Sequence, residues 1–143
     1  MALSEDLPEV LDSNTTIDGT AYSLSNGTSL CDENPGLLGT GSTVGVDRLA
    51  LSTLNRPEFE IVDADNRNIG LDVQANSATL RRLAISGFGD AQNNDGEANI
   101  RVDEVNGTLI EECVIGAGAG GGTLAMRGAI MPEGEYRYKF VIE

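Results

Sequence analysis

One pattern occurs twice in this chain, and it restricts the available folds more than any other feature. Asn68-Ile69-Gly70-Leu71-Asp72 returns as Asn99-Ile100-Arg101-Val102-Asp103, 31 residues on. Thr79-Leu80-Arg81-Arg82-Leu83-Ala84-Ile85-Ser86 returns as Leu109-Ile110-Glu111-Glu112-Cys113-Val114-Ile115-Gly116, 30 residues on. A near-constant offset of this length is how stacked structural repeats are written in sequence.

Inside each copy the apolar spacing fits strands. Ile69, Leu71 and Val73 alternate with Gly70 and Asp72, which is period two. Leu80 then stands three residues before Leu83, and Leu83 alternates with Ile85. A three-residue step inside a period-two pattern predicts a corner at Arg81-Arg82, so each copy reads as three short strands joined by bends. Superposing the copies pairs Ile69 with Ile100, Leu71 with Val102, Leu80 with Ile110, Leu83 with Cys113 and Ile85 with Ile115. Every pair is apolar, as expected of inward rows spaced ~4.8 Å apart. Val73 breaks the series by meeting Glu104, which predicts a register shift there with Val105 as the inward replacement. Outward, Arg81 falls beside Glu111 and Arg82 beside Glu112, two ion pairs that fix register more than they add stability. Asn76 and Asn106 align at a bend, where Asn tolerates left-handed geometry and could hydrogen-bond along the stack.

Composition agrees with a turn-rich β protein. The 143 residues include 18 Gly, and aromatics make up only 4% with no Trp. Asp and Glu outnumber Lys and Arg by 23 to 9, a net charge of −14, and the basic residues are scattered. Such a surface repels nucleic acid and anionic membrane. No apolar run is long enough for a membrane-spanning helix, and the first residues lack the basic-then-apolar order of a signal peptide. Two cysteines, Cys31 and Cys113, are too few for a disulfide framework. Cys113 replaces Leu83 in the inward row and reads as a small buried hydrophobe.

Short strands are expected at 15–19, 46–51 and 59–63, with residues 20–45 as a polar excursion and 87–98 as a polar loop. Residues 117–122 form a glycine-rich linker, followed by a terminal strand in which Tyr136, Tyr138, Phe140 and Ile142 share one side.

The quoted repeats, with 7–19 and 57–63 upstream, resemble the right-handed parallel β-helix repeats of pectin-lyase-like proteins. The resemblance implies an all-β solenoid of roughly three to five coils over residues 1–116, with copies near 68–98 and 99–116, and a linker and terminal strand or cap over 117–143. It implies a fragment of a larger secreted or cell-surface protein, with a polysaccharide or cell-surface glycan as partner. The tail Gly134-Glu135-Tyr136-Arg137-Tyr138-Lys139-Phe140 also looks like one strand of glycogen-binding carbohydrate modules, without their Asp-Gly-aromatic continuation.

Candidate chemistry is confined to carboxylates. Asp72 and Asp103 would stack on the outer face beside Glu104, where close carboxylates can share a proton or hold Ca²⁺. Asp63, Asp65, Asp90 and Asp95 offer further oxygen ligands for Ca²⁺, without the spacing of a Ca²⁺ loop. The chain has no His, which excludes histidine-dependent catalysis. Arg81 and Arg82, the available basic residues, are each expected to face a Glu. The expected function is a non-catalytic structural or adhesion-type module with glycan contact through loops 20–45 and 87–98. The alternative is a polysaccharide lyase or hydrolase of the pectin-lyase-like fold, or a fragment of one, using Asp72, Asp103 and Glu104.

Overall fold

The computed structural model describes residues 2–3, 5–39, 41, 43–44, 46–50, 53–65, 67–89, 98–116, 130–132 and 137–140. Among them the chain forms short strands and no helix: β1 (Ala2–Leu3), β2 (Thr16–Asp18), β3 (Leu37–Leu38), β4 (Thr43–Val44), β5 (Leu49–Ala50), β6 (Leu54–Asn55), β7 (Phe59–Asp63), β8 (Ile69–Val73), β9 (Thr79–Arg81), β10 (Leu83–Ser86), β11 (Ala98–Val102), β12 (Leu109–Ile115), β13 (Ile130–Pro132) and β14 (Arg137–Phe140). None of the described residues belongs to a helix long and apolar enough to cross a membrane.

The strands fall into separate sheets. One is parallel, in the order β1-β7-β10-β12-β9-β2 with β14 also on β12, and a second parallel sheet runs β13-β11-β8. β3 pairs with β6 and β4 with β5 as two antiparallel ladders. The right-handed parallel β-helix of three to five coils is therefore corrected: no closed solenoid is shown. Parallel stacking is restricted to short ladders, while the chain between Gly19 and Phe59 folds back on itself antiparallel instead of adding coils. Apart from the short alternation at 46–51, that segment is rich in Ser, Asn and Gly, so it has no sustained inward row with which to continue a stack.

Within the ladders the repeat is real. Leu80 pairs with Ile110, and Ala84 and Ile85 pair with Val114 and Ile115, all at the 30-residue offset. The corner stands at Arg82 (φ 57°) and recurs at Glu112 (φ 53°), both left-handed. The first strand differs: Leu71 lies opposite Ile100, Asp72 opposite Arg101 and Val73 opposite Val102, a slip of two residues from the motif alignment. The slip keeps the inward row apolar and sets opposite charges side by side, where the motif alignment would oppose Asp72 to Asp103. Glu104 then falls in a left-handed bend (φ 50°) beyond the strand, and Val105 is buried as expected, but the register shift spans the whole strand and is not confined to Val73 and Glu104.

The strand expected at 15–19 supplies a third layer, whose partner and register the sequence did not specify. Thr16, Ile17 and Asp18 pair with Thr79, Leu80 and Arg81, and the bend before them also stacks, with Asn14 N–H donating to the Asn76 carbonyl at 3.0 Å. Left-handed geometry sits on Asn14, Ser77 and Gly107 instead of on Asn76 and Asn106. The Asn76 side chain still bonds along the stack, its Oδ1 accepting the Asn106 N–H at 2.8 Å.

The core gathers Ile61, Leu71, Val73, Leu80, Leu83, Ile85, Phe88, Ile100, Val102, Ile110 and Cys113 from both parallel sheets. A separate small cluster lies on the opposite face of β10 and β12, where Leu38 and Leu54 cover Ala84 and Val114. These two contacts fasten the 19–58 excursion to the frame. Past the glycine-rich run, which lies outside the described residues, β13 extends β11 and β14 extends β12. Tyr136 and Ile142 of the expected terminal strand also lie outside the described residues.

At the corner the charges rearrange. Arg82 pairs with Glu112 at 3.0 Å as expected, but Arg81 turns to Asp18 at 2.7 Å, because the third layer brings that carboxylate opposite it. Desolvation pushes the Asp18 carboxyl up, yet hydrogen bonds from the Thr20 side chain and backbone and from Arg81 outweigh it and hold the group down at about 2. A carboxyl depressed in the folded state stabilises the fold above its ordinary value of 3.8 and loses that contribution as pH falls toward 2. Denaturant midpoints of the native chain and Asp18→Asn should therefore differ at pH 5 and converge by pH 2. A constant difference across that window would refute the assignment.

Candidate functional site

The outer-face carboxylates do not assemble. Asp72 is only 7% exposed and is held by Arg101, whose Nε donates to Oδ1 at 3.0 Å while Nη2 reaches Oδ2. Gln74 Nε2 donates to the same Oδ2 at 3.0 Å. The hydrogen bond to Asp72, opposed by partial desolvation, holds the Arg101 guanidinium more firmly protonated than usual. With three of its roughly four acceptor sites taken by Arg101 and Gln74, and its charge matched in a fork geometry, Asp72 is committed as an ion-pair partner. Asp103 follows β11, its backbone N–H donating to the Val73 carbonyl at 3.1 Å, and Glu104 is exposed on the bend beyond. The structure thus brings Asp72 to Arg101, not to Asp103.

The same holds for the expected Ca²⁺ ligands. Asp63 caps its own turn: Oδ1 accepts the Asp65 N–H at 2.9 Å, Oδ2 accepts the Arg67 N–H, and the side chain is 1% exposed. Asp65 is exposed and lies 3.7 Å from Arg67. Asp90 and Asp95, with most of the 87–98 loop, lie outside the described residues. Among the described residues no three His, Cys, Asp or Glu side chains converge as a metal site.

Both cysteines are free. Cys113 is fully buried, desolvation raises its thiol to about 11, and its Sγ donates to the Glu111 carbonyl at 3.2 Å. It is the inert small hydrophobe expected from its place in the repeat.

A cleft that sequence reasoning missed, of about 860 Å³, lies between the 19–58 excursion and the corner at Arg82 and Glu112. Its walls come from separate stretches, 19–22, 30–37 and 53–58 with Ala50, which is why no local motif announced it. A subtler signal was present. Ala84 and Val114 are outward positions of the repeat, yet both are apolar, which marks a surface that some other segment must cover.

Three features give the cleft its chemistry. Glu58 ties the loop closed, its two carboxylate oxygens accepting the backbone N–H groups of Glu33 and Asn34 at 3.1 Å each. Arg82 is committed to Glu112 and Asp18, and donates to Thr20 Oγ1 at 3.0 Å. Tyr22 is half exposed at the cleft wall. The surroundings are acidic: Cys31, whose thiol is raised by desolvation and then by Glu33, Glu58 and Asp32, reports that field. The arrangement suits reversible polar contact.

Asp72→Ala is expected to cost about 2 kcal/mol in urea unfolding, below the ~3–5 kcal/mol of a fully buried pair because Arg101 retains some solvent. Asp103→Ala should stay within about 0.5 kcal/mol. Equal costs would remove the distinction drawn between the two.

Searches against protein-family models, curated proteins and solved structures find no match to this chain. The likeness to pectin-lyase-like repeats therefore stands on the residues of the repeat alone.

Proposed function

We propose that this chain is a non-catalytic structural and adhesion-type module of a secreted or cell-surface protein, contacting glycan through the cleft beneath the 19–58 excursion. The cleft carries this reading: it is a concave, mixed polar and apolar surface fastened to a packed frame, the usual setting of a reversible ligand site. Placement at a cell surface draws on the likeness of the repeat to those of large surface and secreted proteins, and the net charge of −14 suits solubility there. The enzymatic alternative required Asp72 free on the outer face, and Arg101 occupies it. Depletion of the chain from solution by insoluble or immobilised polysaccharides, with no release of reducing or unsaturated sugars with or without Ca²⁺, is the expected result. Sustained sugar release, or failure to bind any polysaccharide, would overturn the proposal.

A further inference from the structure

Arg56 is the one cation lining the cleft that lacks a carboxylate partner among the described residues, since Arg82 is already paired. Its backbone N–H donates to the Gly36 carbonyl at 3.2 Å, and its guanidinium lies so close over Gly36 that a Cβ there would sit 3.4 Å from Nε and Cζ. Gly36, at φ +137°, thus lies in contact range of the planar group in a backbone conformation that favours glycine. The Nε atom is buried and has no hydrogen-bond partner. No side-chain hydrogen bond or ion pair occupies the Arg56 guanidinium among the described residues, so its outer nitrogens have donors to spare for an acceptor arriving with a ligand.

The charge of the walls decides which acceptor. Asp32, Glu58 and Glu112 face the cleft against Arg56 and Arg82, and the chain as a whole is strongly negative. A carboxylate- or sulfate-bearing ligand would gain one guanidinium and meet three carboxylates. A cationic ligand would meet Arg56. An uncharged hydroxyl or ring oxygen accepts from Arg56 without either penalty, and its neighbouring hydroxyls can donate to Asp32. Tyr22, 52% exposed, lines the same cleft, and an exposed aromatic ring is a surface on which the apolar side of a sugar ring packs.

We propose that this cleft is a binding site for a neutral sugar residue, with Arg56 as the donor to a ring or hydroxyl oxygen, Asp32 as an acceptor and Tyr22 as the ring platform. The inference rests on the glycan-contact reading and narrows it to uncharged glycans.

The test is a titration of the ¹⁵N-labelled full chain with neutral gluco-, manno- and xylo-oligosaccharides and with oligogalacturonate of matching length. At least one neutral oligomer should shift the Arg56 Nε–H resonance and the amides of Gly36 and Tyr22, and oligogalacturonate should bind the cleft about tenfold more weakly or not at all. Arg56→Lys keeps the charge but loses the planar fork, and Tyr22→Ala alters only an exposed ring; each should weaken neutral binding about tenfold while the other amide resonances stay in place. Tighter binding of oligogalacturonate, or neutral binding mapped away from Arg56, would overturn this inference and leave the glycan-contact reading intact. Absence of binding by every oligomer would overturn both.

Discussion

Gly70→Ala should destabilise the chain by about 3 kcal/mol, at the upper end of what an added methyl group does in a packed interior. A Cβ at Gly70 would lie 2.3 Å from the Asn99 carbonyl oxygen and 2.9 Å from both Ile85 Cδ1 and Phe88 Cδ2. The side chains could move a little, but the carbonyl belongs to β11, and shifting it disturbs the pairing of Leu71 with Ile100. The slipped register of β8 on β11 is what brings that backbone so near. Gly27 supplies the control: it has positive φ (65°) and no atom within 4 Å of its would-be Cβ. Gly27→Ala should therefore cost only the strain of a left-handed alanine, about 1 kcal/mol. Urea midpoints at unchanged m-value measure both. Similar losses for the two variants would mean that backbone conformation, and not close approach, governs Gly70.

The other large effect is expected at Leu80. Its side chain is fully buried in β9, with Ile17 as its Cα partner on one side and Ile110 on the other, and it belongs to the cluster that both parallel sheets share. Leu80→Ala removes apolar surface from the middle of a three-layer row and leaves a cavity that flanking strands cannot close without breaking register. A loss of about 3–4 kcal/mol follows. Ile17, at the edge of the row and only half-buried, should lose about 1–2 kcal/mol on the same change. Because Leu80 and Ile110 sit on paired strands, the double variant should lose less than the two single losses combined. If Leu80→Ala cost no more than Ile17→Ala, the row would not be the centre of the core.

Residues 79–86 and 109–116 show what could be read in advance. The three-residue step from Leu80 to Leu83 located the left-handed corner, because strand periodicity admits such a step only where the chain turns. Cys113 was placed inward by the same logic. The first strand failed because residue identity was taken as the guide to register. Matching Asn68-Ile69 to Asn99-Ile100 aligns letters, whereas packing and charge favour Asp72 beside Arg101. The strand at 15–19 was legible but its register on 79–81 was not, because the 19–58 excursion separates it from its partners and doubles the offset. Closure into coils was an extrapolation from two copies to the whole chain, and the antiparallel ladders of the excursion defeat it. As for the site, the carboxylates were visible in the sequence but their partners were not. The cleft draws on distant stretches that share no period.

The attachment of the excursion through Leu38 and Leu54 has a consequence for how such a chain can change over time. Those residues grip Ala84 and Val114 from outside, while the structural interior is filled by other side chains. The residues that line the cleft and those that fill the core are thus largely different. A new sequence between Gly19 and Phe59 that preserves two apolar anchors could present a different surface on the same frame, so this surface can vary without each change being tested against the stability of the whole.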